Sequence, residues 1–184
     1  MARKRRSIRP REIRVDITQL ILDDHHEQRR LFAILDEIDD GDVTTLAAVW
    51  ERLATFLEVH AEAEEELFYP ALLKLGEGAG GKASAASETK DAIKDHNEIR
   101  DAVVAVAGHR VGTAAWRKAV SDANEANGDH MAEEEREGLT DFRGQASLKV
   151  RHDLAVRFAG FEASHVTGVK AVDKDPTAYV AQHG

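Results

Sequence analysis

Two stretches of this chain carry the same polar residues at nearly the same spacing, set inside otherwise apolar helical stripes. His25 is followed by His60 and Glu64, and His96 by His130 and Glu134; the first pair of histidines is 35 positions apart and the second 34. In His60-Ala-Glu-Ala-Glu64 and His130-Met-Ala-Glu-Glu134 a carboxylate follows an imidazole by four positions. On a helix those two positions share one face, a turn apart. Each copy offers two nitrogens and one oxygen, a donor set suited to iron and related first-row metals. Two copies meeting in one core supply six ligands, enough for a two-metal site.

The surrounding periodicity says what holds the copies. A first helix is expected from Ile17 to Ile38, with Ile21, His25, Gln28, Phe32 and Leu35 in its stripe. A second is expected from Val43 to Leu75, carrying Leu53, Phe56, His60, Glu64 and Leu67, with a kink at Pro70 where a backbone donor is missing. Gly76 to Ser87 reads as a loop. A third helix from Glu88 to Ala107 holds Ile93, His96 and Val103, and a fourth from Thr113 to Glu137 holds Trp116, Val120, Asn127, His130 and Glu134. An additional helix is expected from Ala146 to Ala163, then an irregular tail from Val172 packed across the bundle. The predicted architecture is all-α: an antiparallel four-helix bundle over residues 16–140, with 141–184 as a C-terminal helix and tail packed on it.

Composition supports helix and narrows the chemistry. Aromatic residues make up 5% of the chain and there is no cysteine, so disulfides, thiolate catalysis and iron–sulfur ligation are excluded and any metal is held by nitrogen and oxygen. Residues 1 to 14 hold seven Lys/Arg and one Glu, so the net charge of −9 divides into +6 there and −15 over the other 170 residues. Residues 1–15 are expected to form a basic flexible arm. With no aromatic residues or second basic cluster beside Arg3-Lys4-Arg5-Arg6, no nucleic-acid partner is expected. No apolar stretch follows Arg5-Arg6 as an export signal needs, and none approaches membrane-spanning length, so no membrane partner and a cytoplasmic location are expected.

A single His-x-x-x-Glu arises by chance in any glutamate-rich helix, but a doubled one in phase with apolar stripes does not. Burying Glu64 and Glu134 without a cation costs several kcal/mol each, and a metal removes that conflict. The other five histidines fall off the stripes, in turns, or on the extra helix and tail; His152 or His165 is a candidate for a supporting role. Tyr69, five residues past Glu64, is a packing residue whose phenol could reach the metal region as an auxiliary group.

The segments Leu22-Asp23-Asp24-His25, His60 to Pro70, Lys94-Asp95-His96-Asn97-Glu98 and His130 to Glu134 make the chain resemble the hemerythrin-like family, the HHE cation-binding domains. The resemblance covers Ile17 to Gly138, and the extra helix is similar to that of actinobacterial members. It implies a non-heme, oxo-bridged centre of two iron ions, with His25, His60, His96 and His130 as nitrogen ligands and Glu64 and Glu134 as oxygen ligands. Family members carry oxygen, sense oxygen, nitric oxide or iron, or handle peroxide. Oxygen carriers have a further histidine one turn after the third-helix ligand, where this chain has Arg100; Arg29 stands at the same offset from His25. Six ligands then remain, leaving an open position on each iron if both glutamates bridge. The expected function is binding and catalase-like decomposition of a small oxidant under oxidative stress. Hydrogen peroxide comes first, nitric oxide or dioxygen next, with an unidentified redox partner. The second reading is an iron, oxygen or nitric oxide sensor without turnover.

Overall fold

Most helices of the chain begin at a short polar residue whose side chain accepts a hydrogen bond from an otherwise unpaired N–H of the first turn. The structure, a computed structural model, describes residues 15–184. Asp16 caps α1 (Ile17–Glu37), Asp42 caps α2 (Val43–Ala63), Ser84 caps α4 (Ala85–Ala107) and Thr113 caps α5 (Ala114–Arg136). A π-helical turn, Glu64–Phe68, joins α2 to α3 (Tyr69–Leu75). Helices α6 (Gly138–Gln145), α7 (Leu148–Ser164) and α8 (Pro176–His183) complete the order. No strand occurs among the described residues. Residues 1–14 of the expected basic arm lie outside them.

Four rods form the bundle: α1, the α2–α3 rod, α4 and α5. Helix α1 lies along α2 and α4 along α5; α7 packs on α1 and α2, and α8 on α4. The interior is apolar at both ends and polar between. One cluster gathers Ile17, Ile21, Phe68, Leu72, Ile93, Phe142 and Phe158; the other gathers Phe32, Leu35, Leu53, Trp50, Val106 and Trp116. Burying each such side chain contributes about 1.5–3 kcal/mol. At the Trp116 end, Arg117 donates to the Leu35 and Ile38 carbonyls, each at 2.6 Å, closing the open end of α1. These two apolar clusters hold the polar layer of His25, His60, His96 and His130 at fixed depth.

Four expectations change. The second helix is not continuous, and its irregularity lies at Glu64–Phe68, before Pro70: the Tyr69 N–H donates to the Glu64 carbonyl five residues back. Pro70 then falls in the first turn of α3, where a missing N–H costs nothing. Helix α4 starts at Ala85, ahead of the expected Glu88, because Ser84 caps it. Residues Gly138–Gln145, which the periodicity left unassigned, form α6, whose Asp141 accepts from the N–H groups of Glu77 and Gly78 at 3.1 and 2.7 Å. The tail beyond Val172 is not wholly irregular. Asp175 caps α8 and Pro176 occupies its first turn, a helix-start signal.

Candidate metal centre

Helical phase turns four imidazoles toward one point. His60 Nε2 lies 2.9 Å from Glu64 Oε1, and His96 Nε2 lies 3.3 Å from Glu64 Oε2. His25 Nε2 lies 3.4 Å from Glu134 Oε2, and the Nε2 atoms of His96 and His130 are 3.1 Å apart. The structure thus brings all six predicted side chains together, and none of the six residues is more than 5% exposed. Two tight donor sets share Glu64: His25–His60–Glu64 and Glu64–His96–His130, each with its ligating atoms within 4.8 Å of one another. Glu134 joins at the edge of the first set, beside His25.

The donor atoms fit a metal. His25 Nε2, His60 Nε2, both Glu64 oxygens and Glu134 Oε2 are buried and have no hydrogen-bond partner. Each such atom costs about 1–3 kcal/mol when nothing satisfies it. The His96 Nδ1 proton is directed at Glu65 Oε1, 2.7 Å away, so a neutral His96 points its Nε2 lone pair at the facing His130 nitrogen. Two such nitrogens can face each other across a shared proton or beside a cation, and the pair is open to either. Imidazole and carboxylate donors without sulfur suit iron and its first-row neighbours.

Charge at the site follows the same logic. Burial pulls the His25 imidazole down, but the Glu134 and Glu135 carboxylates beside it outweigh that and leave it raised. His60 is likewise pulled down by burial, yet the Glu64 charge and the Asp24 contact hold it well above the usual range. His96 is pushed up to about 9, its carboxylate partners Glu64 and Glu65 overcoming burial. Burial raises Glu64, but His60 and His96 hold it well below the carboxylate range. The six residues form a pocket that favours positive charge.

Behind each imidazole stands a carboxylate that had not been singled out in the sequence. Glu65 faces His96 Nδ1 at 2.7 Å and Glu135 faces His25 Nδ1 at 3.0 Å. Asp24 lies 3.4 Å from His60 Nδ1, and Asp95 lies 3.7 Å from His130 Nδ1. The two glutamates, at hydrogen-bond distance, fix which ring nitrogen of His96 and His25 carries the proton and leave the other free to ligate, while the two aspartates only face their imidazoles. Arg100 and Arg29 do not enter the site: each donates to the supporting glutamate, Arg100 to Glu65 at 2.7 Å and Arg29 to Glu135 at 2.8 Å. The signal was in the doublets Asp24-His25, Glu64-Glu65, Asp95-His96 and Glu134-Glu135, which recur in both halves. The π-helical turn turns Glu64 and Glu65 inward together; both are buried while Glu66 is exposed.

Tyr69 reaches the site. Its hydroxyl donates to Glu134 Oε1 at 2.7 Å, and burial together with the Glu134 and Glu64 charges holds its proton on well above the usual phenol range. A cavity of about 10 Å³ beside Tyr69, His130 and Glu134 has room for one water-sized molecule. His152 and His165 take no part: His152 Nδ1 lies 3.2 Å from the Val15 carbonyl, and His165 Nδ1 lies 2.8 Å from that of Phe161. On the extra helix Glu162 lies beside Asp24, outside the six converging side chains. Its carboxyl is pushed up to about 7 by burial and by the adjacent Asp24.

No curated protein and no solved structure matches the chain. No helix among the described residues is long and apolar enough to cross a membrane. The sequence pattern of the Hemerythrin HHE cation binding domain matches residues 16–139, which takes in α1 to α5 and all six converging side chains. An all-helical bundle with this layer of histidines and glutamates at its middle, matched over two thirds of its length, places the chain in the hemerythrin-like family of cation-binding domains.

Proposed function

We propose that the chain is a non-heme di-iron protein that binds and decomposes a small oxidant, hydrogen peroxide first, with nitric oxide and dioxygen next. His25, His60, His96 and His130 would hold the irons and Glu64 and Glu134 would bridge them. The bundle over 16–140 would form the working unit, with 141–184 carried on it. One observation carries the reading: five buried donor atoms from these residues lack any partner, and two further imidazole nitrogens face each other at 3.1 Å. The bound irons would supply electron exchange with the oxidant.

The chain's own residues support that chemistry. The cavity beside Tyr69 suits a substrate of very few atoms. Tyr69 keeps its phenol proton and donates it in a hydrogen bond to Glu134 at the cavity wall, where a reacting oxygen could share it. The apolar clusters above and below exclude bulk water. Arg100, held by Glu65 and Asn97, supplies no fifth imidazole. That speaks for turnover over reversible oxygen carriage.

Sensing is favoured by a different observation. Lys174 and Tyr179, on the C-terminal segment, both bond to Glu65, which supports His96, so occupancy of the centre could be transmitted to the surface. Iron analysis, an optical spectrum and peroxide consumption by the chelator-free protein separate the readings. Two irons per chain, with peroxide consumed faster than by free iron and the loss abolished in His60→Ala and Glu134→Ala, support the enzyme. Full iron content without turnover, but with a conformational change on nitric oxide or oxygen binding, supports the sensor. Protein that takes up no metal overturns both.

A further inference from the structure

The four-histidine layer is enclosed, yet a cation must reach it. A groove of about 430 Å³ runs between α2 and the end of α7, with Thr55, Phe56, Val59 and Ala159 in its walls. Its lining includes Glu27, Arg52, Glu162 and His165; Arg52 is spent on Glu27 at 2.7 Å and His165 Nδ1 lies 2.8 Å from the Phe161 carbonyl, so neither pairs with Glu162. Behind Glu162 come Asp24 and His60, the three offering ligating atoms within 4.8 Å of one another. Glu162 Oε1, Asp24 Oδ2 and His60 Nδ1 are all buried and all lack a hydrogen-bond partner. His60 itself is 3% exposed, and its Nε2 edge looks the other way, at Glu64.

We propose that Asp24 and Glu162 form a staging site for a divalent first-row cation, ferrous iron above all, through which the ion passes from the groove to the four-histidine centre. This rests on the metal-centre reading given above. Two crowded carboxylates attract a divalent ion and relieve their mutual repulsion by binding it, whereas an anionic ligand is turned away. Oxygen donors hold such an ion loosely enough to release it to imidazole. Among the described residues the other half of the bundle has no equivalent cluster: Asp95, behind His130, belongs to no such three-residue group, and the cavity it lines is about 10 Å³, too small for a hydrated ion. The staging site is thus completed by Glu162 of α7, beyond the residues matched by the family pattern, opposite Asp24 of α1.

The test is the rate at which the full metal-free chain takes up cobalt(II), followed by growth of its visible absorption, with final metal content measured separately. Glu162→Gln keeps shape and removes one charge; Ala159→Trp narrows the groove without touching a carboxylate. The expected result is uptake slowed about tenfold or more in both, the scale on which a charged cleft raises association rates, with final content as in the unaltered chain. Unchanged rates with full content overturn the staging site and leave the centre standing. Lower content at an unchanged rate also overturns it, since Glu162 would then only support the centre. An unaltered chain that takes up no cobalt overturns the centre and the staging site together.

Discussion

Arg100 donates from Nη2 to Glu65 Oε1 at 2.7 Å, and that same oxygen lies 2.7 Å from His96 Nδ1. Arg29, Glu135 and His25 repeat the chain of contacts at 2.8 and 3.0 Å. The guanidinium holds the glutamate, and the glutamate sets the imidazole's proton on the outer nitrogen. Glu65→Gln should therefore lower metal affinity roughly 10–100-fold, measured by competition with a chelator. Glu66→Gln, at the exposed neighbour, should leave affinity within error of the unaltered chain. Equal affinities in both variants would mean that Glu65 does not position His96.

Stability of the metal-free chain should fall as pH rises from about 6.5 to 9. The His96 pKa is raised from 6.5 to about 9 in the folded state, so its contribution is fully present below 6.5 and lost through 9. Glu65 and Glu135 act at the other end: both are lowered from 4.5 to about 2, so their contribution holds above 4.5 and is lost as pH falls toward 2. Metal-loaded protein should not share the alkaline loss, since a ligating imidazole is already neutral and has no imidazolium proton to lose in this range. Melting temperatures of both forms at pH 6, 7.5 and 9 decide it; parallel curves count against ligation by His96.

Tyr69→Phe should retain the metal and change its surroundings. The substitution leaves Glu134 Oε1 buried without its donor, a loss of about 1–3 kcal/mol in the metal-free chain. In loaded protein, the optical spectrum should shift and peroxide consumption should drop, while metal content stays full. Loss of metal instead would make Tyr69 a structural support of the site.

Ending the chain at residue 171 should loosen α4 around Asn97. Asn97 Nδ2 donates to the Lys174 carbonyl at 2.8 Å and its Oδ1 accepts from the Lys174 N–H at 3.1 Å, while buried Tyr179 bonds to the Glu65 carbonyl. Hydrogen exchange should quicken through the middle of α4 and the π-helical turn, with α5 around Trp116 still protected by its own cluster. Uniform protection would show that the C-terminal segment merely lies on the surface.

The six converging residues were legible because a helix translates sequence spacing directly into a face, and the doubled spacing left little freedom. The supports were harder to see. Whether Glu65 faces inward depends on the π-helical turn, which adds a residue to one turn and so moves every later side chain out of simple phase. Glu162 could not be linked to Asp24 from sequence, since nothing local says where α7 docks. Helix α8 was written in Asp175-Pro176, but its short length gives periodicity little to work with.

The two halves of the chain exchange their supports: Glu65 of the first serves His96 of the second, and Glu135 of the second serves His25 of the first. That is the reciprocity of an isologous dimer, carried within one polypeptide. A true dimer would have to place the same residue on both sides of its axis. A single chain is free of that rule, and here Tyr69 meets Glu134 while the matching position is Leu139, which has no proton to offer. The centre is consequently not symmetric: a phenol hydroxyl bonds to Glu134, and the corresponding position of the other half holds an aliphatic side chain that cannot make such a bond.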